Sequence, residues 1–253
     1  MFDLDFEVAR GETQKDVNKT ILKYLGNKLN KTGSFKILDL PCGSMLFAGY
    51  LRKIFPNAEI VGADIYEPRK KEADFVKMDL TKDFVLPKEE QFDLITSISG
   101  IMMFGNTLNF ITSCVDRLRV EGTFIITNDN SATIVDKVFF LLLGRYRLFK
   151  PVFEDEETLT QNVPIQELCR MLRINGLEIE TIEYTSSYTK DLIFLPIAFL
   201  IYPIQMFYLY YKTKFSNPLV KLMFPFKHYF CRHYIIITRK VSNPVSLEKS
   251  IIG

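Results

Sequence analysis

Between Phe35 and Asp129 the chain alternates short apolar runs with stretches whose apolar positions recur at helical spacing, and every apolar run stops at a polar residue. FKILDL (35–40), AEIVGADI (58–65), ADFVKMDL (73–80), FDLITSIS (92–99) and TFIITND (123–129) read as buried strands. MLFAGYLRKIF (45–55) and NTLNFITSCVDRLRV (106–120) read as helices, the second stopping at Glu121-Gly122. Strands that alternate with helices imply a parallel sheet covered on both faces. Such sheets bind ligands beyond the carboxyl ends of their strands, close to the switch point of strand order. Those ends carry Asp39 to Met45, then Asp64, Asp79, Ser97 with Ser99, and Asn128 with Asp129. One solvated loop would explain any single polar tip. Five in register define a crevice.

Bulk properties narrow the choice. A chain of 253 residues forms one large domain, or one domain with an appendage. Its formal charge of +2 lacks the basic excess of a nucleic-acid binder. Cys42, Cys114, Cys169 and Cys231 are scattered without a CxxC pair, which argues against both a zinc site and a disulfide framework and suits a cytoplasmic protein. The opening residues are acidic and polar, unlike a signal peptide. The acidic run 154–157 reads as a solvated turn rather than a metal site.

The ordered set of strand tips resembles class I S-adenosylmethionine-dependent methyltransferases. Their loop after the first strand is usually Asp/Glu-x-Gly-x-Gly-x-Gly. Here it reads DLPCGSM, with Gly43 in the middle position and Pro41 and Met45 in the outer two. The resemblance spans about residues 12–185 and resumes in the last strand. It implies a Rossmann-like, doubly wound seven-stranded α/β sheet whose last strand, HYIIITRKV (233–241), runs antiparallel between the fifth and sixth. It also implies S-adenosyl-L-methionine as cofactor, held by Asp39, Pro41, Gly43, Asp64, Ile65, Met78, Asp79, Leu80 and Ser97. Gly43 would let backbone N–H groups approach the amino-acid moiety. Asp64 would accept both ribose hydroxyls, and Asp79 the adenine amino group, with Met78 or Leu80 against the ring. A nicotinamide oxidoreductase is the rival enzyme class, but its GxGxxG turn is absent. A non-catalytic binding or scaffold protein on the same fold is the other alternative. Many relatives carry an acid and a histidine where this chain has Met102-Met103, which reads as core filling.

After residue 129 the pattern changes. Residues 132–149 read as an apolar helix running into Arg145, Arg147 and Lys150, and VPIQELCRMLRINGLEIETI gives a helix and a sixth strand. This block resembles bacterial methyltransferases of surface-polysaccharide and lipid-linked pathways, with Gln161 and Asn162 where those often have a histidine. The segment LIFLPIAFLIYPIQMFYLYY (192–211) is long and apolar enough to span a bilayer. The implied strand order forbids a single crossing, because the sixth strand must end, and the seventh begin, on the ligand side. Residues 185–232 therefore form an apolar insertion within a domain of 1–184 plus 233–241, and 242–253 a tail. The insertion reads as a buried cap, as one arm of a hairpin in the membrane interface, or as a re-entrant hairpin. Nearby lysines and tyrosines suit a peripheral position on the inner face of a membrane; a homodimer would cover the same surface. The expected reaction is O-methylation of an amphipathic or lipid-linked acceptor, a sugar or prenylated ring. Asp129 and then His228 are the candidate proton acceptors.

Overall fold

The computed structural model describes residues 2–30, 32–150, 152, 160–213 and 217–241; the acidic run 154–157 and the tail 242–253 lie outside them. The apolar runs form a single sheet whose two faces are covered by helices, although β2, β3 and β4 follow one another without a helix between them. β1 (Lys36–Asp39), β2 (Glu59–Asp64), β3 (Asp74–Lys77), β4 (Phe92–Ser97) and β5 (Leu118–Asp129) are parallel. β7 (Cys231–Lys240) pairs antiparallel with both β5 and β6 (Leu177–Ser187), giving the order β3-β2-β1-β4-β5-β7-β6. This is the expected seven-stranded arrangement. β1 and β4 are neighbours, so the switch point lies between their carboxyl ends.

Two layers of helix cover the sheet. α1 (Val17–Lys28), which the polar N-terminus had concealed, and α2 (Leu46–Ile54) pack on one face through Ile21, Leu22, Leu25, Ala48 and Leu51. α3 (Thr107–Asp116) and α5 (Ile165–Ile174) pack on the other through Phe110, Ile111, Leu168 and Leu172. Glu121-Gly122 is not a helix stop. The strand already runs from Leu118, and Glu121 adopts a φ of 66° where the β4–β5 register shifts. Likewise the apolar helix after β5 is shorter than its pattern. α4 (Ile134–Leu143) starts at Thr133, whose hydroxyl accepts from the Asp136 N–H, and stops at the left-handed Gly144.

The insertion between β6 and β7 is a helix laid along the domain. A 3₁₀ turn (Thr189–Phe194) leads into α6 (Leu195–Lys212), followed by α7 (Leu219–Met223) and a second 3₁₀ turn (Phe226–Tyr229). Residues 189–212 are long and apolar enough to cross a membrane by length and composition alone. Their attachments rule out a crossing. Asp191 accepts two hydrogen bonds from the Arg232 guanidinium, at 2.9 and 2.7 Å, just before β7. Further along, Tyr202 donates to the Phe224 carbonyl at 3.2 Å and Tyr229 donates to Gln205 at 2.7 Å. Met206 and Leu209 pack on the main core. One face of α6 is thus held against protein along its length, while the face bearing Leu200, Ile204 and Phe207 is exposed.

Candidate active site

The glycine loop, Pro41 to Met45, connects β1 to α2. Gly43 has a φ of 49°, and a Cβ there would collide with the Glu12 carboxylate. The Gly43 N–H instead donates to Asp64 Oδ2 at 2.9 Å, and the Tyr66 N–H donates to Asp64 Oδ1 at 3.1 Å. Asp64 therefore ties the tips of β1 and β2 together, and each carboxylate oxygen keeps a lone pair for a ligand. Across the loop, Gly100 is needed because a Cβ would strike the Pro41 ring.

These tips open into a cleft of about 980 Å³, at the upper end of ordinary small-molecule sites. Pro41, Gly43, Asp64, Ile65, Met78, Asp79 and Leu80 line it, as expected, together with Tyr66, Ser99, Met103 and Phe104. Met103 is thus a wall of the cleft, whereas Met102 is buried. Asp79 is partly committed elsewhere. It accepts from the Thr81 hydroxyl at 2.6 Å and the Thr81 N–H at 3.1 Å, and pairs with Lys82 at 3.1 Å. Those bonds lower its pKa to about 2, so it stays ionised.

Asp39 lies one layer deeper, in a small recess under the loop rather than in the cleft wall. Burial, and secondarily the neighbouring Asp64 charge, raise its pKa to about 7 against a bond from the Thr96 hydroxyl at 2.7 Å that lowers it. Glu12 lines both cavities. Its segment is pinned by Ala9 N–H donating to the Tyr50 hydroxyl at 2.9 Å and by Asn18 donating to the Arg10 carbonyl at 3.1 Å. Glu12, Asp39 and Asp64 thus surround one glycine. Acidic groups there favour a cationic ligand, most strongly above about pH 7, where Asp39 has lost its proton. A testable consequence concerns Asp39 alone. Between about pH 4 and pH 7 the folded state keeps a proton that the unfolded state has lost, so stability falls as pH rises, by roughly 4 kcal/mol at most. Asp39→Asn removes that slope. In urea titrations it should match wild type at pH 4 and exceed it at pH 8; parallel pH profiles would show that Asp39 ionises freely.

Two expected residues lie elsewhere. Ser97 is fully buried within β4, where both faces of the strand are covered, and does not line the cleft; Ser99, beyond the strand and with a φ of 56°, occupies the wall instead. His228 is buried beside Tyr184, Phe224 and Tyr229 rather than over the crevice. Its Nδ1 lies 2.7 Å from the Pro225 carbonyl, and burial lowers its pKa to about 4. It belongs to the packing beneath α6.

Asp129 does not line the cleft either, nor does it cap α4. Its Oδ1 lies 3.0 Å from Nδ1 of His233, the third residue of β7. A carboxylate only accepts, so Nδ1 carries the hydrogen and Nε2 is left as the acceptor. Nε2 lies 3.0 Å from the Thr127 hydroxyl and 3.4 Å from the Ser99 hydroxyl, which is 2.6 Å from that of Thr13. A fully buried imidazole thereby connects Asp129 to the cleft wall. Nothing in the sequence around His233 marks it as a site residue, because it opens an apolar strand. Topology was the available signal: an antiparallel strand begins on the side where its parallel neighbours end.

The fold is that of the class I methyltransferases. Residues 38–126 match a methyltransferase domain family, Methyltransf_11, over β1 to β5. A malonyl-acyl-carrier-protein O-methyltransferase from Bacillus cereus is 24% identical over 123 residues, a match that spans 45% of this chain and 45% of that enzyme. Among solved structures, the 1,6-didemethyltoxoflavin-N1-methyltransferase of Burkholderia thailandensis, bound to 1,6-didemethyltoxoflavin and S-adenosylhomocysteine, superposes with a TM-score of 0.54 at 12% identity, covering 90% of this chain and 80% of that one. A (4+2)-cyclase, SpnF, superposes equally well, at 0.54 and 13% identity over 94% and 86% of the two chains. One scaffold carries both chemistries, so activity must be argued from the site.

Proposed function

We propose that the protein transfers a methyl group from S-adenosylmethionine to a hydroxyl oxygen of an amphipathic acceptor, such as a lipid-linked sugar or a prenylated ring. The observation that carries the reading is the carboxylate-rimmed glycine loop at the mouth of a large cleft. Glu12 and Asp39 suit the donor's cationic amino-acid end, Asp64 its ribose diol, and Ile65, Met78 and Leu80 a flat ring. When bound, the donor supplies an electrophilic methyl group on a sulfonium. The protein's remaining work is alignment and proton removal. Ser99 presents a hydroxyl to the acceptor, and its proton passes to Nε2 of His233 as the acceptor oxygen loses its own to Ser99. Asp129 fixes the imidazole's tautomer and balances the charge that develops. The Bacillus cereus relative is by its name an O-methyltransferase. Support for an amphipathic acceptor comes from the exposed apolar helix beside the domain.

The test uses donor labelled on the methyl carbon, incubated with the protein and a membrane lipid extract. A labelled, base-stable ether in the organic phase is expected. Label confined to base-labile esters would move the acceptor to a carboxyl group, and no transfer to any fraction would remove the enzymatic reading.

A further inference from the structure

We propose that α4 and α6 together form a docking surface for an anionic lipid bilayer, with α6 lying in the plane of the membrane. In α6 the residues turned toward protein recur at helical spacing: Ala198, Ile201, Tyr202, Gln205, Met206 and Leu209. The opposite side carries Leu200, Ile204 and Phe207, each about two-thirds exposed. A helix that is apolar all round belongs inside protein or lipid, and only one side of this one has protein.

α4 extends the surface. Its first turn shares a core cluster with α6 through Ile134, Val135 and Ala198. Its last turn then projects Leu141, Leu142 and Leu143, which are 83%, 72% and 63% exposed. Two neighbouring elements thus present large apolar side chains to solvent, more than an isolated domain usually leaves uncovered.

Charge selects the occupant. Residues 134–150 hold four Lys or Arg and residues 188–230 hold five, against Asp136 and Asp191 as the only acids. Both acids are buried and paired inside the protein, Asp136 with Arg147 at 3.5 Å and Asp191 with Arg232 at 2.7 Å. Arg147 and Lys227 are already paired, with Asp136 and Glu183, but Lys190, Lys212 and Lys221 are exposed and neither acid of the two segments is, which matches anionic head groups over acyl chains. α6 is about 27 Å long. Its tethers at Asp191, Tyr202 and Gln205 keep that length along the surface rather than across it.

The inference does not rest on methyl transfer, and its test omits the donor. Full-length protein is floated with vesicles of phosphatidylcholine alone or mixed with phosphatidylglycerol. Flotation with the mixed vesicles, weakened by salt, is expected. Leu200→Glu with Phe207→Glu, and separately Leu142→Glu, alter exposed positions and should each lower partitioning by roughly tenfold or more. Circular dichroism and light scattering accompany each sample. Wild-type flotation by α6 alone, with Leu142→Glu unchanged, would overturn the role of α4. No flotation, flotation indifferent to all three substitutions, or a stable dimer that excludes vesicles would overturn the docking surface altogether.

Discussion

Asp64→Ala is expected to weaken S-adenosylmethionine binding about 100-fold or more while leaving a folded protein. The carboxylate holds the Gly43 N–H at 2.9 Å and the Tyr66 N–H at 3.1 Å, and so sets the loop that forms the mouth of the cleft. Its truncation removes the proposed diol acceptor as well. Hydrogen bonds to a charged group contribute roughly 1.5–3 kcal/mol each, so losing two costs about 3 kcal/mol or more. Asp64→Asn keeps one acceptor oxygen and should fall between wild type and alanine. Calorimetric titration reads the affinity, and near-ultraviolet circular dichroism confirms the fold. Unchanged affinity in a folded Asp64→Ala protein would place the donor elsewhere.

The second large effect concerns turnover. His233 is fully buried between Asp129, Thr127 and Ser99, and its ring joins them. Without it Ser99 has no imidazole to take up its proton, and general-base contributions are typically about 10²–10⁴-fold. His233→Gln, which retains bulk and hydrogen-bonding groups, should therefore lower kcat by roughly 100-fold or more with donor affinity unchanged. Asp129→Asn should produce a smaller loss, since the imidazole remains but its developing charge is less well balanced. A merely structural role would depress rate at every pH alike. The relay predicts that the deficit shrinks as pH rises, because hydroxide replaces the missing base. A pH-independent deficit, or wild-type turnover in His233→Gln, would exclude it.

Much of this site could be read in advance because parallel strands announce their own carboxyl ends. Asp64, Asp79 and Gly43 each stand where an apolar run stops, and all three line one cleft. Where the strand stops within such a run is harder to read from the same signal. Ser97 and Ser99 both end the same run, but only Ser99, re-aimed by its positive φ, reaches the cleft wall. Glu12 was hidden for a different reason. It lies 31 residues before Gly43 in a stretch with no periodicity, and the packing of that stretch on α1 and Tyr50 brings it to the loop. Asp129 reads as a polar tip, but the strand that supplies its partner is more than 100 residues away. The apolar 192–211 segment has a composition that suits a core, an interface or a span. Only the Arg232, Phe224 and Tyr229 tethers distinguish a helix lying along the domain from those alternatives.

Titration of the wild-type protein with S-adenosylmethionine asks whether the carboxylate-rimmed cleft holds the methyl donor. Saturable binding at a single site, competed by S-adenosylhomocysteine, is the predicted result. A folded protein that binds neither compound would be a methyltransferase fold without its chemistry, and the proposed donor site would fall.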